Sequence, residues 1–193
     1  MTVRLVLATH NSHKVDELRR ILGSQLDGIE LVGYDGPEPV EDGDTFEANA
    51  LIKARAAALH TGLPAIADDS GISVDALGGA PGIYSARYAG NRDDRENLEL
   101  VLTNLDGESN RAAQFSCAAA FVDGSYEHVE LGVWPGVVLT EAAGAGGFGY
   151  DPIFRPDGLE VSSAELTADE KNAISHRARA FGQLIPVVRE RLL

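Results

Sequence analysis

Residues 3–23 read VRLVLATHNSHKVDELRRILG. Residues 3–8 form a short, largely apolar run with the character of a buried strand. Val15, Leu18, Ile21 and Leu22 then recur at helical spacing until Gly23 stops them. A strand that passes through a tight polar turn into an amphipathic helix is the building unit of α/β folds. Such folds place ligands at the carboxyl ends of their strands.

The same alternation continues outward along the chain. Residues 29–34 read as a second strand, followed by an acidic loop rich in Pro and Gly. A helix over about 45–60 comes next, with Asp44 and Glu47 able to cap it and an Ala-rich face suited to close packing. Residues 63–67 read as a strand that ends abruptly in Asp68, Asp69, Ser70 and Gly71. Residues 91–105 suit a helix, and residues 113–122 and 127–134 an antiparallel pair. After the glycine-rich stretch 144–150, Thr167 and Glu170 carry a capping-box signature, and Pro186 should kink the last helix. The prediction is a central mixed sheet flanked by helices.

With 193 residues, 44% of them hydrophobic, the chain can bury a real core, and no long linker divides it. It is read as one domain over 1–193, or as two lobes sharing a cleft. The formal net charge of −14 argues against gripping a nucleic acid polymer, which needs clustered Lys and Arg. A small anionic ligand would need a metal ion or a locally basic pocket. The single cysteine, Cys117, excludes an intrachain disulfide and a cysteine-based zinc cluster, and it fits a reducing compartment. Residues 1–11 hold too short an apolar run for a signal peptide or a membrane span, so the cytoplasm is expected.

Four segments carry candidate chemistry. In the first turn, Thr9, His10, Asn11, Ser12, His13 and Lys14 offer short polar side chains and a lysine at a helix N-terminus, an arrangement that attracts phosphate. The spacing alone suits an Asn11 N-cap and a solvated Lys14 equally well, and the Walker A glycines are missing. Second, Asp68 and Asp69 repel each other, so a cation or a raised pKa would help keep them together, with Glu41, Asp42 and Asp44 as distant acidic partners. Magnesium suits such oxygen ligands and leaves one carboxylate free as a base; an Asx-type turn before Gly71 is the plainer reading. Third, Gly146, Gly147, Phe148, Gly149, Tyr150 and Asp151 combine backbone freedom, rings that can stack on a base and a carboxylate that can accept from one. The same residues also suit a loop with a buried aromatic anchor. Fourth, Lys171, Ser175, His176 and Arg177 are closely spaced donors. At about 100° per residue an unbroken helix would separate Lys171 from Arg177, so a break at Ser175 is expected; a solvated helix surface is the alternative.

Taken together, these segments resemble the non-canonical purine nucleoside triphosphate pyrophosphatases, or inosine triphosphatases. The resemblance runs through ATHNSHK (8–14), EDGDTFEANALIKARAAA (41–58), AIADDSGISVDALGGAPGIYSARYAG (65–90), GGFGYDPIF (146–154) and ELTADEKNAISHRARA (165–180). It implies an elongated central mixed sheet, two lobes with the active site in a cleft between them, and a homodimer. Residues 9–14 would hold the triphosphate, Glu41 and Asp69 would hold Mg2+, and Asp69 would accept a proton. Ser70 would touch substrate. Phe148, Gly149, Tyr150 and Asp151 would embrace the nucleoside, and Lys171, His176 and Arg177 would contact the base. Many relatives show Gly where this chain has His10.

The implied reaction is attack of a metal-ordered water, deprotonated by Asp69, on the phosphoryl group that stays with the nucleoside, releasing pyrophosphate. Lys14 is the first choice to steady the leaving charge, with Lys53 a further helper and Asp68 a second base or ligand. Hypoxanthine and xanthine carry an oxygen where adenine carries an amino group, so lysine and arginine donors would favour the former. Two other readings share these features: a pyrophosphatase for modified pyrimidine or methylated nucleotides, and a nucleotide-sensing module without turnover.

Overall fold

The computed structural model of the chain describes residues 2–10 and 12–193; the side chains of Ser12 and His13, like the whole of Asn11, lie outside the described residues. In chain order the elements are β1 (Val3–Leu7), α1 (Ser12–Leu22), β2 (Ile29–Gly33), α2 (Phe46–Thr61), β3 (Ala65–Val74), α3 (Asp94–Asn104), β4 (Ala112–Asp123), β5 (Tyr126–Val138), β6 (Phe154–Pro156), α4 (Ala168–Ile174) and α5 (His176–Leu192). The strands form one mixed sheet in the order β2-β1-β3-β4-β5-β6. β1 runs parallel to both β2 and β3, whereas β5 and β6 are antiparallel. Only Gly124 and Ser125 separate β4 from β5, and a link that short joins antiparallel neighbours. The α/β class and the mixed sheet read from the sequence are therefore observed.

Two compact units divide the chain. One comprises the described residues up to 69 together with 117–132 and 177–193; the other comprises 70–116 and 133–176. In the first unit the period-2 alternation of strands sorts side chains to two faces. Leu5, Leu7, Ile66, Cys117, Ala119 and Phe121 pack with Val15, Leu18 and Leu22 of α1 and with Phe181, Leu184 and Ile185 of α5. Their alternates Ala67, Ala118 and Ala120 pack with Ala50 and Ala54 of α2, small residues that let helix and sheet approach closely. In the second unit Ile72, Val74, Phe115, Trp134 and Phe154 gather around Leu98, Val101 and Leu105, the apolar face of α3 and the residue that caps it.

Local signals in the sequence locate several boundaries. The capping box of Thr167 and Glu170 opens α4, and the chain breaks at Ser175 (φ −66°, ψ 163°) before α5 begins. Pro186 lies inside α5 without ending it. The cap of α2 differs from expectation: Thr45 accepts from Ala48 N, because its extended backbone and hydroxyl stand next to the first turn.

β3 requires the larger correction. Rather than stopping at residue 67, it runs through Asp68, Asp69, Ser70 and Gly71 to Val74. Its two carboxylates are tolerated in a strand because each meets a cation. Gly71 is tolerated because the backbone packs tightly there: a Cβ would lie 2.4 Å from Ser85 Oγ and 2.5 Å from the Gly82 carbonyl oxygen. Among the described residues no helix is long and apolar enough to cross a membrane.

Candidate active site

The first unit builds its polar site where β1 ends and β3 continues. Leu7 pairs with Ile66, Ala8 N donates to Ile66 O at 2.8 Å, and Thr9 N then turns back to Leu7 O at 2.7 Å. The chain leaves for α1 while β3 carries on, so Asp68 and Asp69 stand just past the carboxyl end of β1. β2 and β3 flank β1 on opposite sides, which makes this the kind of switch point at which open α/β sheets bind ligands.

Alternation along β3 gives the two aspartates different partners. Asp68 is buried on the α1 and α5 side, where its Oδ2 accepts from Arg177 Nη2 at 2.9 Å and Nε at 3.2 Å. Lys14 Nζ stands 3.8 Å from its Oδ1, and Arg177 Nη1 also reaches Glu17 Oε2 at 3.5 Å. Burial alone would raise the Asp68 pKa, but Lys14, Arg177 and Lys53 override it and hold the carboxyl well below the usual range. The Arg177 guanidinium, penalised by burial, is correspondingly held charged by Asp68. Asp68 is thus a permanent anion that anchors cations.

Asp69 occupies the α2 side. Its Oδ1 lies 3.2 Å from Lys53 Nζ, and the same ammonium meets Glu41 Oε2 at 3.0 Å. Residues remote in sequence therefore bring two carboxylates onto one cation. Burial raises the Asp69 pKa; Lys53 opposes the shift, Glu41 adds to it, and the net direction is upward. Glu41 is placed by a clamp: Gly43 N donates to Oδ1 of buried Asn49 at 2.9 Å, so tightly that a Cβ on Gly43 would lie 2.7 Å from that oxygen. Among the described residues, Asp69 Oδ2 is buried without a hydrogen-bond partner, and no group of three or more His, Cys, Asp or Glu side chains is placed to hold a metal ion. An all-oxygen pair with one orphaned oxygen fits a hard cation such as magnesium, which takes one or two protein carboxylates.

The second unit shapes the glycine-rich loop around Asp151. This carboxylate is 2% exposed; its Oδ2 accepts from Phe148 N at 2.9 Å and from Lys171 Nζ, and its Oδ1 from Ser163 Oγ at 2.8 Å. Gly147 (φ +69°) must lack a side chain, since a Cβ would fall 2.1 Å from Asp151 Oδ2. Gly149 N donates to Asp94 Oδ2 at 3.0 Å, and buried Tyr150 donates its hydroxyl to Ser85 O at 2.7 Å. Phe148 is left 55% exposed, with Lys171 Nζ 4.8 Å from its ring centroid. His176 stacks on Phe115 at 4.8 Å and on Trp134 at 6.2 Å.

The structure thus joins Lys14, Asp68 and Arg177 in one group, Lys53, Glu41 and Asp69 in a second, and Phe148, Asp151 and Lys171 in a third. Ser70 is half-buried and follows Asp69 in the chain, Thr9 is half-buried just past the end of β1, and His10 contacts Tyr34, Gly36 and Glu38. The predicted site residue Asn11 and the side chains of Ser12 and His13 lie outside the described residues. Glu17, Asn49, Asp94 and Ser163 were not singled out in the sequence. Asn49 carried a signal: it sits one position before Ala50 and four before Lys53, a polar residue on the Ala-rich buried stripe of α2.

The Ham1 family model matches residues 5–187. A dITP/XTP pyrophosphatase from Leifsonia xyli subsp. xyli is 59% identical over 97% of this chain and 96% of its own length. One of the same name from Streptomyces avermitilis is 52% identical over 98% of each chain. The structure of a HAM1 protein from Coxiella burnetii superposes with a TM-score of 0.90 at 42% identity, covering 98% of this chain and 100% of that one. A nucleoside-triphosphatase, dITP/XTP pyrophosphatase, from Mycobacterium abscessus gives 0.79 at 45% identity over 95% and 100%.

Proposed function

We propose, from the premise that this chain belongs to the Ham1 family, that it hydrolyses dITP, ITP and XTP to the nucleoside monophosphate and pyrophosphate. The observation that carries the reading is the convergence of Glu41 and Asp69 on Lys53 Nζ, with one Asp69 oxygen buried and unpartnered among the described residues. Glu41 and Asp69 would hold Mg2+, which when bound would neutralise phosphate charge and help order the attacking water.

Asp69 is the proton acceptor. Its upward-shifted pKa makes it a stronger base than an ordinary aspartate. Water attacks the phosphorus that stays with the nucleoside, its proton passes to Asp69, and the bond from that phosphorus to the bridging oxygen breaks. The electron pair leaves with pyrophosphate. Residues 9–14 receive the phosphates at the N-terminus of α1, and Lys14 adds a point charge for the leaving group. Asp68 and Glu17 hold Arg177, and Asp68 faces Lys14, so these cations are aligned before substrate arrives. Lys53 keeps the Asp69 and Glu41 charges compatible, and Ser70 follows as a substrate contact.

In the second unit, exposed Phe148 supplies a stacking face on a loop fixed by Asp151, Gly149 and Tyr150. Lys171 and His176, with Arg177, are the donors assigned to the base; donors leave an adenine amino group without a partner, which is the basis of selectivity. We take the working form to be a cytoplasmic homodimer, as the resemblance implies.

The deciding experiment is pyrophosphate release over dITP, ITP, XTP, dATP, dTTP and UTP, with and without Mg2+. Metal-dependent hydrolysis of the first three over the others is expected. Equal rates on dTTP or UTP would shift the assignment to a pyrimidine-directed pyrophosphatase, and tight binding without release would mark a sensing module.

A further inference from the structure

His10 opens the turn after β1 and reaches the segment that follows β2. Its Nε2 lies 2.7 Å from Gly36 O and its Nδ1 lies 3.0 Å from Glu38 Oε1. A peptide oxygen and a carboxylate both accept only, and a neutral imidazole donates only once, so both contacts are made together by the imidazolium alone. The ring also stacks on Tyr34 at 5.5 Å, and Tyr34 donates its hydroxyl to Pro37 O at 3.0 Å. Gly36 is wedged in place: a Cβ there would lie 2.4 Å from Tyr34 Oη and 2.6 Å from His60 Cδ2.

Residues 35–43 therefore form a strap fastened at both ends. His10 and Tyr34 secure one end, and the Gly43–Asn49 hydrogen bond secures the other, with Glu41 between them facing Lys53. We infer that His10 is a positioning residue whose imidazolium fastens this strap, and with it Glu41, to the turn at residues 9–14, and that the fastening loosens as the ring loses its proton. The inference rests on the reading of Glu41 and residues 9–14 given under the proposed function.

The surroundings favour the charged ring. Hydrogen bonds donated to Glu38 and then to Gly36 O raise the His10 pKa above 6.5, and the charges of Glu38 and Asp35 add to the shift. The titratable and charged groups that line the same depression, besides Asp35, are Tyr34, His60 of α2, Arg4 of β1, which lies 3.9 Å from Glu30, and Asp16 and Arg19 of α1, paired with each other at 3.2 Å. Because the folded value is raised, the clamp is complete at low pH and is lost as the pH rises through it.

The test is hydrogen–deuterium exchange of the full chain without ligands, following peptides over residues 34–42 at pH 6 and pH 9 after correction for intrinsic rates. In the wild type, exchange should be about threefold faster at pH 9, the scale of an exposed charged contact. His10→Ala should be fast at both values, and His10→Gln, with one donor, intermediate and independent of pH. The magnesium concentration for half-maximal dITP hydrolysis should rise by a similar factor in His10→Ala at pH 6, and the gap between variant and wild type should narrow at pH 9. Equal exchange of wild type and His10→Ala at pH 6 overturns the inference. If no form hydrolyses dITP, the proposed function falls, while the exchange result still decides the clamp.

Discussion

Asp68 and Asp69, neighbours in the chain, present their carboxylates to opposite faces of β3: Asp68 accepts from Arg177 Nη2 at 2.9 Å, and Asp69 stands 3.2 Å from Lys53 Nζ. The Asp68 pKa is held well below the usual range, whereas that of Asp69 is shifted upward from its ordinary value. Divergent pKa values for paired carboxylates separate a fixed anion from a proton acceptor, and the two can be told apart by substitution.

Asp69→Asn keeps the shape and removes the base. Turnover of dITP should fall by at least about 10²-fold, while binding of the nucleotide is largely retained. Single-turnover hydrolysis and equilibrium binding measured side by side would check this; hydrolysis at the wild-type rate would exclude Asp69 as the base.

Asp68→Asn breaks a buried ion pair and should cost about 3–5 kcal/mol of stability at pH 7. The Asp68 value in the fold lies below its ordinary 3.8, so its contribution is complete above that value and is withdrawn as the pH falls through it toward the folded value. Urea unfolding at pH 7, 4 and 3 should show the gap between variant and wild type closing with acid. A gap independent of pH contradicts the assignment.

Lys53→Met removes the ammonium shared by Glu41 and Asp69. Without it the carboxylates repel unscreened and the Asp69 pKa climbs further, so the acid limb of the pH–rate profile should move to higher pH, with activity partly recovered there. An unmoved acid limb would show that Lys53 does not tune Asp69.

Phe148→Ala and Gly147→Ala separate contact from loop shape. Removing the exposed ring should raise KM for dITP about tenfold, a typical loss for one stacked base, with Tm unchanged. Gly147→Ala forces a side chain onto Asp151 at positive φ, so it should raise KM at least as much and also lower Tm. Equal Tm values in the two variants would mean that Asp151 does not hold the loop.

Much of this was legible in the sequence because the signals were local. The apolar run into Thr9, the helical spacing from Val15, the Thr167 capping box and the break at Ser175 each depend on neighbours a few residues away. The course of β3 past residue 67 was not legible, because polar residues extend a strand only when distant partners are present, here Lys14, Arg177 and Lys53. The same holds for Asp151, whose lysine and serine partners lie far along the chain. His10 gave no sign of its role, since its acceptors belong to a loop that only the parallel pairing of β1 and β2 brings alongside.

Cys117 lies at the centre of the first unit with no exposed surface, and burial pushes its thiol far above the ordinary range, so the nucleophilic thiolate is scarcely populated. The native protein therefore offers alkylating dyes no handle. A cysteine introduced at Val40, 78% exposed on the strap, would accept a single fluorophore without any background substitution, making the movement of that segment directly visible to spectroscopy.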